Sequence, residues 1–206
     1  MSSLFPTTIE SGRLRYEPLH ESIDALDLYE YHRTGEMDAV MRALGDETHS
    51  TPKETADDLA ESRKTWDSAD RATYAMRRTA DDEFVGVAEL WFEWDKHKVS
   101  FGTWVREPFW GEGYSTERAG AMCYVAFELL DLDLVSVGHE PDNEQSRRAI
   151  EKYIDAYGGQ KDGLLRNELP PSDFGGPRDL VVYTLLQDQW REHVTDDELA
   201  TIRVTR

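Results

Sequence analysis

The sequence predicts an α/β (α+β) fold in which an antiparallel meander leads into a strand-helix-strand crossover. Three observations carry the prediction. Strand signals cluster over residues 73–105, separated by short polar turns. From Thr116 the apolar period becomes helical, with Ala119, Met122, Cys123, Ala126, Phe127 and Leu130 at offsets 0, 3, 4, 7, 8 and 11. Strand and helix signals then alternate as far as Leu186, the order of a parallel crossover attached to a meander. With 206 residues the chain is sized for a single domain spanning 1–206.

Taken in order, Arg13 to Pro18 reads as a first strand. Ile23 to Tyr31 reads as a helix with Ile23, Leu26 and Tyr31 on one face. A short helix over Met37 to Leu44 and a longer one over Glu54 to Trp66 follow; the second has few apolar residues, and both are expected on the surface, a natural place for a substrate-facing flap. The meander comprises Thr73 to Arg78, a turn at Ala80-Asp81-Asp82, Phe84 to Trp91, a polar turn over Asp95 to Lys98, and Val99 to Val105. Beyond the helix of residues 116–130 come a strand over Leu134 to Val137 and a helix over Ser146 to Tyr157, ended by Gly158-Gly159. The loop Pro170 to Pro177 precedes a strand over Leu180 to Leu186, expected at an exposed edge where it could pair in a homodimer.

Composition bounds the function. A 39% hydrophobic content and six tryptophans indicate a folded protein despite a net charge of −19. Acidic residues number 42 against 23 basic ones, and lysine occurs only at 53, 64, 96, 98, 152 and 161. That balance suits a halophilic, salt-rich cytoplasm, where screening mutes self-repulsion. So negative a field, with no basic run to offset it, argues against nucleic acid and anionic membrane as partners. No apolar run approaches the ~20 residues of a membrane span, and Met1 to Pro6 lacks a charged and then apolar leader, so a cytoplasmic location is expected. Cys123 is the single cysteine, which excludes an internal disulfide and a cysteine zinc cluster. The histidines at 20, 32, 49, 97, 139 and 193 lack metal-ligand spacing, so no metal is expected.

The most informative residues join a strand to a helix: Phe109-Trp110-Gly111-Glu112-Gly113-Tyr114-Ser115-Thr116-Glu117. Two glycines allow close backbone approach to a ligand, and a helix start offers unpaired N–H groups at the positive end of its dipole; together these suit a pyrophosphate. On the motif alone, a tight turn is an equal reading. A doubly wound dinucleotide fold fits poorly, because a meander precedes the motif and a third glycine is missing.

The loop resembles the cofactor motif of the GCN5-related N-acetyltransferase (GNAT) superfamily, and within it the RimJ/RimL-like branch that acetylates N-termini of ribosomal proteins. Trp110 to Glu117 is similar to that branch's Trp-Gly-x-Gly-Tyr-Ala-Thr-Glu form. Further resemblance lies in Pro141 to Ser146, Asp162 to Asn167, Asp179 to Leu185 with Trp190, and the opening Ser11 to Leu19, so that residues 9–191 are covered in family order. Three departures stand out. Glu112 replaces a frequent basic residue, Ser115 replaces Gly or Ala, and Tyr153 to Gly159 carries an insertion. The resemblance implies a GNAT fold with a mixed sheet of about six to seven strands, an acetyl-CoA donor cradled by Trp110, Gly111, Gly113, Tyr114, Ser115 and Thr116, and an amine acceptor. It also implies that the strand ending Trp104-Val105 splays from its neighbour, that Val105 pairs the pantetheine amides, that Asn143 contacts the cofactor, and that Ser146 protonates the departing thiolate. Asn143 equally suits a helix cap, and Ser146 an ordinary first-turn serine.

Acetyl transfer requires a neutral amine, a donor for the oxyanion and a proton for the thiolate. Glu168 is the first candidate base, near where the branch carries a carboxylate, and Glu89 the second; Glu93, Glu140 and a water relay are further options. Cys123 falls on the apolar stripe and reads as core. Tyr153 and Tyr157 read as packing residues or acids, Trp104 as core, and Trp91, Phe92 and Trp94 as core or acceptor pocket. The leading function is transfer to a protein or peptide N-terminus. Its alternatives are acetylation of a polyamine, amino acid or antibiotic, and a non-catalytic acyl-CoA-binding module.

Overall fold

The computed structural model describes residues 4–206, so the first half of the segment read against a leader lies outside the described residues. Among the described residues, nine strands form one mixed sheet: β1 (Thr8–Ser11), β2 (Leu14–Pro18), β3 (Arg71–Arg78), β4 (Phe84–Glu93), β5 (Lys98–Val105), β6 (Leu134–His139), β7 (Gln160–Leu169), β8 (Arg178–Leu186) and β9 (Arg203–Thr205). Their order is β7-β8-β6-β5-β4-β3-β2-β1-β9, with β5 and β6 the one parallel pair. The expected meander and crossover are present. The expected six or seven strands fall short by β1, β7 and β9. β1 and β9 are only four and three residues long, and β7 buries almost nothing, so none shows an apolar period.

β8 corrects one expectation. It pairs with β6 on one side and β7 on the other, so residues 180–186 are interior and offer no free edge for a homodimer. The sheet's edges are β7 and β9.

Eight helices among the described residues accompany the sheet: α1 (Leu19–Ser22), α2 (Ala25–Arg33), α3 (Asp38–Leu44), α4 (Pro52–Asp67), α5 (Tyr114–Tyr124), α6 (Glu144–Ala156), α7 (Gln187–His193) and α8 (Asp196–Thr201). In α2, Asp24 caps the helix by accepting from Leu26 and Asp27 N–H, and the buried face is Leu28 and His32, four residues apart. Of the expected face, Ile23 and Tyr31 pack against the cluster around Leu28, whereas Leu26 is 69% exposed. The helix expected over 116–130 divides into α5 and a π-helical turn at Val125–Leu129, which keeps Val125, Ala126 and Phe127 buried. α4 is mostly exposed as expected, but Thr55, Ser62 and Trp66 face inward. The main core lies between the sheet and α5, α6 and α7, and includes Met122, Phe127, Ile150, Ile154, Tyr183 and Trp190.

Candidate active site

The parallel ladder of β5 and β6 runs from Lys98 opposite Leu134 to Phe101 opposite Val137 and then stops. β5 continues against β4 to Val105, and β6 against β8 to His139. Beyond Phe101 and Val137 the two strands no longer pair with each other, and a cavity of about 950 Å³ opens there. That volume is in the range of small-molecule sites.

On the α5 side the cavity is lined by Trp110, Gly111, Gly113, Tyr114, Ser115 and Thr116. Gly111 and Gly113 hold φ of +83° and +81°, left-handed values that favour glycine, and Gly113 is the residue that starts α5. Glu117 anchors this start to the β1–β2 hairpin. Its carboxylate accepts from Ser11 Oγ at 2.9 Å, Arg13 N at 2.6 Å, Arg13 Nε at 2.9 Å and Leu14 N at 3.1 Å. Arg13 in turn donates to the Glu112 carbonyl at 3.0 Å and lies over the Tyr114 ring. Glu112 itself is exposed, so the acid in the loop faces solvent while an arginine from the neighbouring turn lies against it. Arg118, Arg148 and Lys152 add cationic groups to the cavity wall. A positive helix start, a glycine backbone and basic side chains fit the phosphates of acetyl-CoA.

The strand end is tied to the loop, because Trp110 Nε1 donates to the Val105 carbonyl at 2.6 Å. Val105 and Trp104 both line the cavity; Trp104 is half-buried, edge-on to Phe84, and so belongs to wall and packing together rather than to core alone. Asn143 precedes α6, and its Oδ1 accepts from Ser146 N–H at 3.0 Å, so the capping reading holds. Both residues line the cavity.

On the opposite face of the sheet, Glu89 stands across from Gly102, Trp91 from Ser100, and Val87 from Trp104. A side chain at Gly102 would meet Glu89 Oε2 at 3.1 Å, so the glycine leaves the carboxylate its place beside the strand. Glu89 lines the cavity with 23% of its side chain exposed. Burial raises its pKa above the ordinary carboxylate value, opposed by Arg71 at 3.8 Å and a hydrogen bond from Thr73 Oγ1 at 3.4 Å. Val40, Ala43, Leu44 and Asp46, from α3 and the turn after it, line this side too. Arg178 holds that segment by donating to the Leu44 carbonyl and to Glu140.

The structure does not bring every candidate into the cavity. Glu168 is exposed on β7 and lies outside the lining. Glu93 pairs with Lys96 and Lys98 at the far end of β4. Glu140 lines the cavity but is paired with Arg178. Cys123 is buried with its thiol pKa pushed up by burial, as a packing residue requires. Tyr153 is buried and lines the cavity; Tyr157 is buried and hydrogen-bonds Glu198. Sequence reasoning gave no role to Arg13, Glu117 and Arg118. Glu117 carried a signal as the last residue of the loop motif, and Arg118 carried one because it falls four residues before Met122 on the buried stripe of α5. Among the described residues, no group of three or more His, Cys, Asp or Glu could hold a metal ion, and no helix is long and apolar enough to cross a membrane.

Comparison with known proteins agrees with this geometry. The family model described as Acetyltransferase (GNAT) domain matches residues 13–153. The Bacillus subtilis (strain 168) protein named "Putative ribosomal N-acetyltransferase YdaF" is 33% identical over 95 residues, which is 45% of this chain and 48% of that protein. The match thus spans about half the length of that curated relative. Among solved structures, a "putative acetyltransferase" from T. thermophilus superposes with a TM-score of 0.72 at 26% identity, covering 93% of this chain and 95% of that one. Mycobacterium smegmatis RimJ, solved in complex with CoA-disulfide, gives a TM-score of 0.71 at 18% identity over 92% and 91% of the two chains, a likeness of fold. With its glycine loop at the start of α5 and its sheet opening beside that loop, the chain belongs to the acetyltransferase (GNAT) domain family.

Proposed function

We propose that the protein transfers the acetyl group of acetyl-CoA to a primary amine, a protein or peptide N-terminal α-amine, by direct attack within a ternary complex. The observation that carries this reading is the cavity at the end of the β5–β6 ladder, with a phosphate cradle on one face of the sheet and Glu89 on the other. Acetyl-CoA supplies the thioester. The loop 110–116 binds its phosphates, and the free length of β5 to Val105 orients the pantetheine arm.

Glu89 removes the proton that the amine must lose, and its raised pKa suits a base. As the amine nitrogen bonds to the carbonyl carbon, the carbon–sulfur bond breaks with its electron pair going to sulfur; Ser146 passes its hydroxyl proton to that sulfur and takes up the second proton that the nitrogen loses, so the serine ends neutral. Glu168, exposed and outside the cavity, is the second candidate base. A peptide acceptor is supported by an adjoining cavity of about 480 Å³ that shares Ala43, Glu140, Asn143, Gln145 and Arg178 with the first, giving room for residues behind the amine. The net charge of −19 supports action in a salt-rich cytoplasm.

The test is acetylation of an N-terminal peptide panel beside a polyamine panel, with Glu89→Gln and Glu168→Gln as variants. Turnover on peptides, lost in Glu89→Gln and kept in Glu168→Gln, is expected. Turnover on polyamines alone contradicts the acceptor, loss in Glu168→Gln alone contradicts the base, and acetyl-CoA binding with no turnover on any amine leaves an acyl-CoA-binding module.

A further inference from the structure

Arg118 is 1% exposed, yet it has no carboxylate partner among the described residues, and its Nε and Nη1 are buried without a hydrogen-bond acceptor. Its guanidinium lies over the ring of Phe101 at 5.5 Å and that of Tyr153 at 5.8 Å, and it lines the cavity. A buried charge with two of its nitrogens left without acceptors is destabilising even with the Tyr153 hydroxyl beside it, so its retention calls for a function. The position supplies one. Phe101 is the last residue of the β5–β6 ladder, next to Gly102, and Gly102 faces Glu89 across β4 and β5. Arg118 therefore lies one residue along the strand from the base but on the other face of the sheet. An amine deprotonated by Glu89 approaches the thioester from one face, and the leaving sulfur is on the side of α5.

We propose that Arg118 binds the coenzyme A sulfur as a thiolate and so stabilises the leaving group of acetyl transfer. The proposal rests on the acetyl-CoA reading above. When the carbon–sulfur bond breaks, the electron pair stays on sulfur opposite the guanidinium, and the second proton that the nitrogen loses reaches it afterwards through Ser146. The titratable groups facing Arg118 are Tyr16 from β2, Tyr153 from α6 and Cys123 on its own helix. Burial pushes all three up, Tyr153 to about 12, so none supplies a competing negative charge at neutral pH.

The experiment titrates the thiol of coenzyme A bound to the protein, read by the ultraviolet absorbance of the thiolate, in wild type, Arg118→Lys and Arg118→Met. A thermal melt of each free protein accompanies it. The bound thiol is expected to titrate at least one pH unit below that of free coenzyme A, measured in the same buffer, in wild type. In Arg118→Met it should return to that value, and affinity for coenzyme A should fall by up to about tenfold, the equivalent of one unit, at a pH above both thiol titrations, and hardly at all at pH 6. Arg118→Lys should retain part of the shift. Without ligand, Arg118→Met should melt higher than wild type, because an unpaired buried charge has been replaced by an apolar chain. Equal titration in wild type and Arg118→Met would overturn the proposal. A lower melt in Arg118→Met would do the same, making the guanidinium a prop for Phe101 and Tyr153. No binding of coenzyme A to folded wild type would remove the acetyl-CoA reading and this proposal together, whereas binding without a thiol shift removes this proposal alone.

Discussion

In Glu89, the proposed base, a structural cost meets a chemical use. Its carboxyl pKa is raised by burial, so the folded state favours the protonated form. The stability this group contributes is present below its ordinary value of 4.5 and is lost as pH rises through the raised value. Glu89→Gln should therefore melt higher than wild type at pH 7 to 8, and thermal melts should show that advantage vanish below pH 4.5. Activity follows the opposite sense. A base works ionised, so kcat/KM in wild type should fall as pH drops through the raised pKa, and Glu89→Gln should cost about 10²-fold or more with a flattened profile. A variant with wild-type rate and profile would dismiss Glu89. Among 42 acidic residues the sequence named Glu89 second, because nothing local distinguishes one carboxylate from another. Its register opposite Gly102 and its place on the cavity wall do so, and both depend on strand pairing across the sheet. The capping contact from Ser146 N–H to Asn143 was legible because a cap and the residue it binds are close in sequence.

The start of α5 was the most legible element, since glycine spacing and helix start are local signals. Its anchor was not: Glu117 reaches the backbone and side chains of Ser11, Arg13 and Leu14, about a hundred positions away. Glu117→Ala deprives that turn of four hydrogen bonds to a carboxylate. The variant should lose about 2 kcal/mol in denaturant unfolding and weaken acetyl-CoA binding, because the loop 110–116 loses its support. Unchanged unfolding would show the turn to be held by other contacts. β7 was missed for the reason that makes it an edge: a strand exposed along nearly its whole length shows no apolar alternation. On α2 the misplaced residue is Leu26: it lies two positions before Leu28, about 200° around the helix, so it points out where Leu28 points in, whereas Ile23 and Tyr31 pack against the Leu28 cluster.

Charge acts on the whole molecule. With a net charge of −19, the chain has 42 acids against 23 basic residues, while the cavity gathers Arg118, Arg148, Lys152 and Arg178. The salt-rich reading predicts a melting temperature that rises steeply from dilute buffer to molar KCl, where the Debye length shrinks to about 3 Å. A melting temperature independent of salt would mark an ordinary acidic protein. Halophily was read from composition alone, since neither fold nor site encodes it, whereas the meander and crossover were legible because their periods are those of the folded elements. The cavity was not, because it arises from a ladder that ends at Phe101 and Val137. The most direct test of the account is calorimetric titration of acetyl-CoA into the folded protein in molar KCl, repeated with Gly113→Trp. At φ +81° that substitution costs about 1–2 kcal/mol and places a bulky ring in the cradle. Saturable binding to wild type that disappears in a folded Gly113→Trp is the predicted result; no binding to folded wild type, or equal binding to both, would contradict it.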